Sequence, residues 1–164
     1  MRHIRAITLD LDDTLWDVAP VIRRAEENLW RWLGKHYPRI AETFDAEALL
    51  DVRREVMDEY RHKSHDFRFL RKQSLARIAV RSGYSDDLVE EAFAVFDRAR
   101  NEVELYPDVM PHLEALAASF PIVAVTNGNA NLDSIGIGRH FHAIVAAAEV
   151  GTAKPGPRIF EVAR

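Results

Sequence analysis

The hydrophobic period of this chain switches from strand to helix and back, and that switching limits the folds open to it. Ile4 to Leu9 is a short apolar run with two isoleucines and a threonine, and it ends on the acidic cluster Asp10-Leu11-Asp12-Asp13. A run of this kind predicts a strand buried on both faces, as in a parallel sheet. From Asp17 to Glu104 the period is helical. Pro20 suits a first helical turn, and Val21, Ala25, Leu29, Trp32 and Leu33 follow at helical spacing to a stop at Gly34. Asp45 is placed to cap a second helix with Leu49, Val52, Val56 and Tyr60 on one stripe. A third spans Asp66 to Arg81 with Phe69, Leu70 and Ile78 apolar and Gly83 as its stop. Ser85 opens a fourth, with Val89, Phe93, Phe96 and Val103 turned inward. Four amphipathic helices on short links predict a small bundle.

The pattern then alternates. Asp108 to Ser119 reads as a helix, Pro121 to Val125 as a β-branched strand ending in the turn Thr126-Asn127-Gly128-Asn129, and Ala143 to Ala147 as another strand. Thr152 to Arg164 is a loop and then a helix. Strand, helical block, helix, strand, helix, strand, helix is an α/β order. The expected fold is therefore a doubly wound, Rossmann-like parallel sheet, residues 1–16 and 105–164, with a helical bundle at 17–104 inserted in it. Such sheets bind ligands beyond the carboxyl ends of their strands. Three polar clusters fall there: Asp10-Asp12-Thr14, Thr126-Asn127 and Lys154.

Composition removes several function classes. The chain has 164 residues, 48% hydrophobic, with no cysteine and a net charge of -4. Absent cysteine excludes disulfide scaffolds, thiolate-bound zinc and thiol catalysis. Mild acidity gives no support for a nucleic-acid or membrane-surface binder. No apolar run approaches spanning length, and MRHIRAITLD reads as a buried strand and not a signal peptide, so the expected location is the cytoplasm.

Asp10 and Asp12 are two apart on extended chain, which points both carboxylates to one side. Like charges that close need a cation or a shared proton. Magnesium prefers oxygen ligands and joins carboxylates to phosphate. One carboxylate can attack phosphorus and the other can shuttle the proton. A calcium loop is the nearest rival, but it requires Gly sixth and Glu twelfth, where this chain has Leu15 and Val21 counting from Asp10. Thr126 and the amides after it can hold phosphate oxygens, and Lys154 can neutralise phosphate charge as a compact cation. Each cluster alone is weak: D-x-D arises by chance in a chain with 26 acids, Thr126-Asn127 alone reads first as a strand-to-helix turn, and a lone lysine first as a solvated side chain.

Together the clusters resemble the haloacid dehalogenase superfamily, in its phosphatase branch. Asp10-Leu11-Asp12-Asp13-Thr14 looks like the first motif of that family, Thr126-Asn127-Gly128 like the second, and Lys154 in Gly151-Thr152-Ala153-Lys154-Pro155 like the third. The resemblance implies Asp10 as nucleophile and Asp12 as general acid/base. It implies a magnesium ion (Mg2+) held by the Asp10 carboxylate and the Asp12 backbone carbonyl. It implies Thr126 and Asn127 on the phosphoryl group and Lys154 offsetting charge. Dehalogenating members lack an acid at the position of Asp12, so the resemblance is to phosphatases of small phosphorylated metabolites. The insertion resembles the family's first type of cap, which closes over the site. A fourth, acidic motif that completes the metal site should follow the last helix, and the sequence ends at Arg164. The expectation is an incomplete chain of weak activity, with the Asp10 strand at an open edge. A phosphotransferase or mutase on the same fold, and a non-catalytic binding protein, are the alternatives.

Other features decide less. Thr14 is expected to shape the turn and Asp13 to be structural. Trp16 and Asp17 stand where the insertion begins, with hinge and packing roles equally open for Trp16. The histidine pairs His62/His65 and His140/His142 lack further ligands at zinc spacing, and Gly136-Ile137-Gly138 reads as a turn. The run Arg61, Lys63, Arg68, Arg71, Lys72, Arg77 and Arg81 contains one acid, Asp66. It predicts a solvated helix face, with attraction of an anionic substrate as the sharper alternative.

Overall fold

Ile122-Val123-Ala124-Val125-Thr126 forms β2, the centre of the sheet, and all five residues are buried. A β-branched apolar segment with no charged residue is the sequence of a strand covered on both faces. The computed structural model describes residues 4–164. β1 (Ile7–Leu9) pairs with β2 in parallel, Leu9 opposite Ala124, and β3 (Ala143–Ala146) pairs in parallel on the other side, Thr126 opposite Ala146. The order is β1-β2-β3. With all strands parallel and in register, Asp10, Thr126 and the residues after Ala146 lie at one edge of the sheet.

The two faces are covered separately because side chains alternate along a strand. Ile122 and Ala124 join Leu11, Trp16, Val21, Val109, Leu113, Leu132 and Ile137 in one core. Val123 and Val125 join Val145, Ala147 and Ile159 in another. Helices α6 (Val109–Ala117) and α7 (Leu132–Ile135) supply the first face, and α8 (Ala147–Val150) and α9 (Pro157–Val162) the second. This is the expected doubly wound sheet.

The chain divides into two compact units: the residues up to Val21 with Asn101–Arg164, and Ile22–Arg100. The second unit is all helical. It holds most of α1 (Val18–His36), then α2 (Pro38–Thr43), α3 (Ala46–Glu59), a 3-10 turn at Arg61–Lys63, α4 (Phe67–Arg81) and α5 (Leu88–Arg100). Its core gathers Ala25, Leu29, Leu33, Ile40, Val52, Leu75, Ile78, Phe93 and Phe96. Asp45 caps α3 by accepting the Ala48 N–H at 2.8 Å, and Asp66 caps α4 by accepting the Phe69 N–H at 3.0 Å. Gly83 ends the α4 segment with φ +71°, a conformation glycine adopts without steric cost.

Several local expectations need correction. β1 begins at Ile7, not Ile4, and is only partly covered, with Ile4 70% exposed. It is an edge strand, in line with the open edge expected for the Asp10 strand, so one side lacks the strand neighbour that β2 has; what is corrected is its burial on both faces. The first three residues of the expected 1–16 core segment, and of MRHIRAITLD, lie outside the described residues. α1 runs through Gly34 to His36, since Gly34 faces open space and nothing there forces a break. The short α2, entered through Pro38, was not anticipated. Ser85 accepts the Asp87 N–H at 3.3 Å ahead of α5 and does not cap its first turn. α5 stops at Arg100, and Val103 packs in the Trp16 core instead of the bundle.

The basic run is neither a bare solvated face nor an open anion trap. Arg68 pairs with Asp97 at 3.5 Å, Arg71 with Glu26 at 2.9 Å, Lys72 with Glu90 at 2.7 Å and Arg81 with Glu55 at 2.5 Å. Arg77 pairs with Glu59, and Arg61 with Asp58. Arg71 also lies 3.5 Å from the centroid of the Phe96 ring, and Arg68 5.0 Å from that of Phe93. Burial pushes the Arg71 guanidinium down from its usual range, while Glu26 opposes that shift. The acids come from α1, α3 and α5, so no inspection of the 61–81 segment alone reveals them.

Candidate active site

Asp10 is the first residue past β1, and half of its site geometry follows from that position. Its Oδ1 accepts the Leu11 N–H at 2.8 Å. The same oxygen lies 2.6 Å from Lys154 Nζ. Lys154 Nζ also donates to the Val125 carbonyl at 2.7 Å, which ties the ammonium to the end of β2. The Asp10 side chain is 45% exposed and that of Lys154 19% exposed, so the pair opens to solvent from the aspartate side.

Asn127 holds Lys154 from the other end. Its Oδ1 accepts the Lys154 N–H at 2.7 Å and its Nδ2 donates to the Lys154 carbonyl at 3.2 Å. One side chain thus satisfies both backbone groups of a loop residue, as a neighbouring strand would. The Lys154–Pro155 peptide is cis. Thr126 is 2% exposed, and its Oγ1 accepts the Gly128 N–H at 2.9 Å. A hydroxyl that accepts from an amide keeps its own O–H as a donor.

The turn after β1 is tightly built. Thr14 and Leu15 donate their amides to the Leu11 carbonyl at 3.1 and 2.8 Å, and Asp13 donates to the Trp16 carbonyl at 2.9 Å. Asp13 has φ 59°, a left-handed conformation that Asp tolerates better than most residues. Its Oδ1 accepts the Val18 N–H at 2.9 Å, and Asp17 Oδ1 accepts the Ala19 N–H at 3.0 Å. These two carboxylates serve the orphan amides at the start of α1.

Of the residues singled out from sequence, Asp10, Asn127 and Lys154 are joined by direct contacts, with Val125 as an unanticipated partner. Thr126 follows Val125 at the same strand end. Asp12 Oδ1 takes a different partner: it accepts the Trp16 indole N–H at 3.0 Å. Neither the Asn127 clamp nor the Trp16 contact had a readable signal, because each depends on where a turn delivers a side chain.

Hard oxygen donors for a cation are available at Asp10 and Asp12. Among the described residues no group of three or more His, Asp or Glu side chains could hold a metal ion. Magnesium suits such a sparse set, since it usually takes one or two carboxylates and completes its shell with phosphate and water. The residues present fit that ion as partial ligands.

The parallel sheet, its inserted helical bundle and this strand-end constellation define a doubly wound α/β domain with a polar site at the carboxyl ends of its strands. The family profile for haloacid dehalogenase-like hydrolases matches residues 4–164, and the chain belongs to that family. It is 32% identical over 162 residues to 5-amino-6-(5-phospho-D-ribitylamino)uracil phosphatase YigB of Escherichia coli (strain K12), covering 94% of this chain and 66% of that protein. It is 31% identical over 171 residues to glyceraldehyde 3-phosphate phosphatase of Methanopyrus kandleri, covering 98% of this chain and 70% of that one. The chain thus spans about two thirds of the length of these relatives. The crystal structure of 2-haloacid dehalogenase from Pseudomonas syringae pv. Tomato DC3000 superposes with a TM-score of 0.93 at 36% identity, over 98% of this chain and 71% of that chain. Among the described residues no helix is long and apolar enough to cross a membrane.

Proposed function

We propose that this protein is a magnesium-dependent phosphohydrolase that cleaves a small phosphorylated metabolite through an aspartyl phosphate on Asp10. The observation that carries the reading is the Lys154 ammonium 2.6 Å from Asp10 Oδ1 at the carboxyl edge of a parallel sheet. The phosphatase names of the curated relatives support it.

The reaction runs in two displacements. Oδ1 of Asp10 is held by the Leu11 amide and Lys154, so the other oxygen attacks phosphorus. The bond from phosphorus to the leaving oxygen breaks, and Asp12 gives that oxygen a proton. Water then attacks the aspartyl phosphate and gives a proton to Asp12. The Asp10–phosphorus bond breaks, releasing phosphate and restoring both carboxyl groups. Lys154 has three N–H donors, two of them on Asp10 and the Val125 carbonyl, which leaves one for a phosphoryl oxygen. The Thr126 hydroxyl and the Asn127 backbone N–H bind the other phosphoryl oxygens, while the Asn127 side chain fixes Lys154. Magnesium, held by the Asp10 carboxylate and the Asp12 backbone carbonyl, would supply further charge neutralisation for the transferring group. Positioning and electrostatics account for most of the rate in phosphoryl transfer. The insertion at 17–104 serves as the cap.

A phosphomonoester panel of sugar phosphates, nucleotides and phosphorylated cofactors, assayed with magnesium, tests the reading. Phosphate release that disappears in Asp10→Asn is expected, together with a beryllofluoride- and magnesium-dependent thermal shift lost in the same variant. A second reading, dehalogenation, rests on the likeness to the Pseudomonas syringae enzyme. A halide leaves with its electron pair and needs no proton, so that reaction has no use for Asp12. Halide release from a 2-haloacid with no phosphate release from any ester would sink the phosphatase reading. Transfer of phosphate to an added alcohol in excess over free phosphate would mark a phosphotransferase. Absence of both turnover and the beryllofluoride shift would mark a binding protein.

A further inference from the structure

We propose that Asn127-Gly128 is a site of spontaneous covalent modification, a deamidation site that the folded strand end holds off with three hydrogen bonds and that reacts when they open. Among the asparagines of the chain, Asn127 alone is followed by glycine. Glycine has no Cβ, so its nitrogen is unshielded and its backbone reaches conformations that bring that nitrogen onto the preceding side chain. In a loose chain such a pair cyclises. The Gly128 nitrogen gives up its proton and attacks Asn127 Cγ. The Cγ–Nδ2 bond breaks, and Nδ2 leaves as ammonia with the proton that the Gly128 nitrogen lost. Water then adds to one of the two ring carbonyls, a ring C–N bond opens with the nitrogen regaining a hydrogen, and an aspartate or an isoaspartate remains.

The strand end restrains each group in that step. The Gly128 N–H donates to Thr126 Oγ1 at 2.9 Å, so its proton is engaged and its nitrogen is turned toward Thr126. Thr126 is 2% exposed, which makes its hydroxyl a stationary acceptor. The carbon under attack belongs to an amide fixed at both ends. Asn127 Oδ1 accepts the Lys154 N–H at 2.7 Å, and Nδ2, the leaving group, donates to the Lys154 carbonyl at 3.2 Å. Lys154 is moored in turn, with Nζ 2.7 Å from the Val125 carbonyl oxygen and 2.6 Å from Asp10 Oδ1. Cyclisation requires the Asn127 amide to leave Lys154 and the Gly128 amide to leave Thr126 together. It therefore proceeds from a locally opened state, whose population falls with the number of bonds broken.

The products cannot rebuild the clamp. A carboxylate has no N–H for the Lys154 carbonyl, and isoaspartate inserts one more carbon into the main chain between Thr126 and Gly128. Conversion is a one-way loss of the contact that holds the Lys154 loop. The inference goes beyond the phosphatase reading, and its readout is chemical, so it stands or falls apart from any activity.

The test incubates the full chain in mildly alkaline buffer, folded and in urea, and follows Asn127 by peptide mapping after digestion at acid pH. Conversion shows as the mass change from amide to carboxyl, with isoaspartate identified by enzymatic methylation. In urea Asn127 should convert faster than any other asparagine of the chain. In the folded protein its conversion should be slower by about tenfold or more, since three hydrogen bonds must open. Thr126→Val removes the acceptor for the Gly128 N–H at nearly constant volume. It should speed conversion in the folded state by about threefold to tenfold, the loss of one ordinary hydrogen bond, and Thr126→Ser should restore the parent rate. Absence of preferential conversion at Asn127 in urea, equal rates in the folded and urea-treated chain, or a folded Thr126→Val no faster than the parent would each overturn the proposal. If Thr126→Val does not fold, the folded-against-urea comparison on the unaltered chain decides.

Discussion

Both ends of the Asn127 amide meet the backbone of Lys154, and this makes the lysine's reach to Asp10 a property of two residues. The Lys154 side chain is long and rotamer-rich, so holding it in one place costs conformational entropy. Three anchors offset that cost: the Asn127 clamp, the Val125 carbonyl and the Asp10 carboxylate. Lys154→Met removes the ammonium and keeps the length of the side chain. Loss of a single preorganised charge-stabilising donor typically costs about 10^2 to 10^3 in kcat, and phosphate release in Lys154→Met should fall by about that much, with the melting temperature near that of the parent. Asn127→Ala leaves the ammonium in the chain and loosens its loop. We expect a smaller drop in kcat than for Lys154→Met. A larger one, at unchanged stability, would show that the Asn127 side chain does more than position its neighbour.

At the scale of elements, helix ends and helix pairs carry most of what is testable. Asp45 and Asp66 each satisfy an orphan amide in the first turn of α3 and α4. Removing such a cap usually costs about 0.5–2 kcal/mol, so Asp66→Ala should lower the unfolding free energy of the helical unit by about that amount, read from its denaturant titration. The α3–α4 pairing adds a pH dependence. The Glu59 carboxyl is held below its usual range by hydrogen bonds from Arg77 first and Tyr60 second, and the Glu55 carboxyl by Arg81 first and then by the charges of Arg81 and Arg77. A carboxyl whose pKa is depressed on folding adds stability above its unfolded pKa and loses it as pH falls through the folded value. Arg77→Met should therefore lower the melting temperature at neutral pH and have a progressively smaller effect as the buffer is taken below the ordinary carboxylate range. Both acids are solvent-exposed, so added salt should shrink the neutral-pH effect too. A melting difference that is flat from neutral to strongly acid pH would rule out this electrostatic origin.

For the whole molecule, each compact unit has its own core, the helical one around Leu29 and Leu33 and the sheet-bearing one around Leu11, Trp16 and Ile122. Leu29→Ala should cost about 2–5 kcal/mol, read as faster amide exchange in α1 and α4. Much of this organisation was legible in the residues. The period switches marked β2, β3 and the helical block, Asp45 and Asp66 marked helix starts, and Gly83 marked a helix end. These are local effects, set by side-chain alternation and by hydrogen bonds a few residues apart. The α/β class and the family resemblance followed from them and from three short motifs. What only the tertiary structure decided were contacts between residues far apart in the chain or turned by an unusual backbone. Lys154 meets Asp10 because parallel strands bring their carboxyl ends to one edge. The basic residues of α4 are neutralised by acids from three other helices. The open edge of β1 was expected from the motifs, but the exposure of its faces was not, because a short apolar run does not reveal how much packs over it. The Trp16 indole reaches Asp12 because Asp13 adopts a left-handed turn between them. Local sequence sets which conformations a segment prefers, but which distant groups complete its hydrogen bonds and charges depends on long-range packing, and that is determined only when the chain is folded.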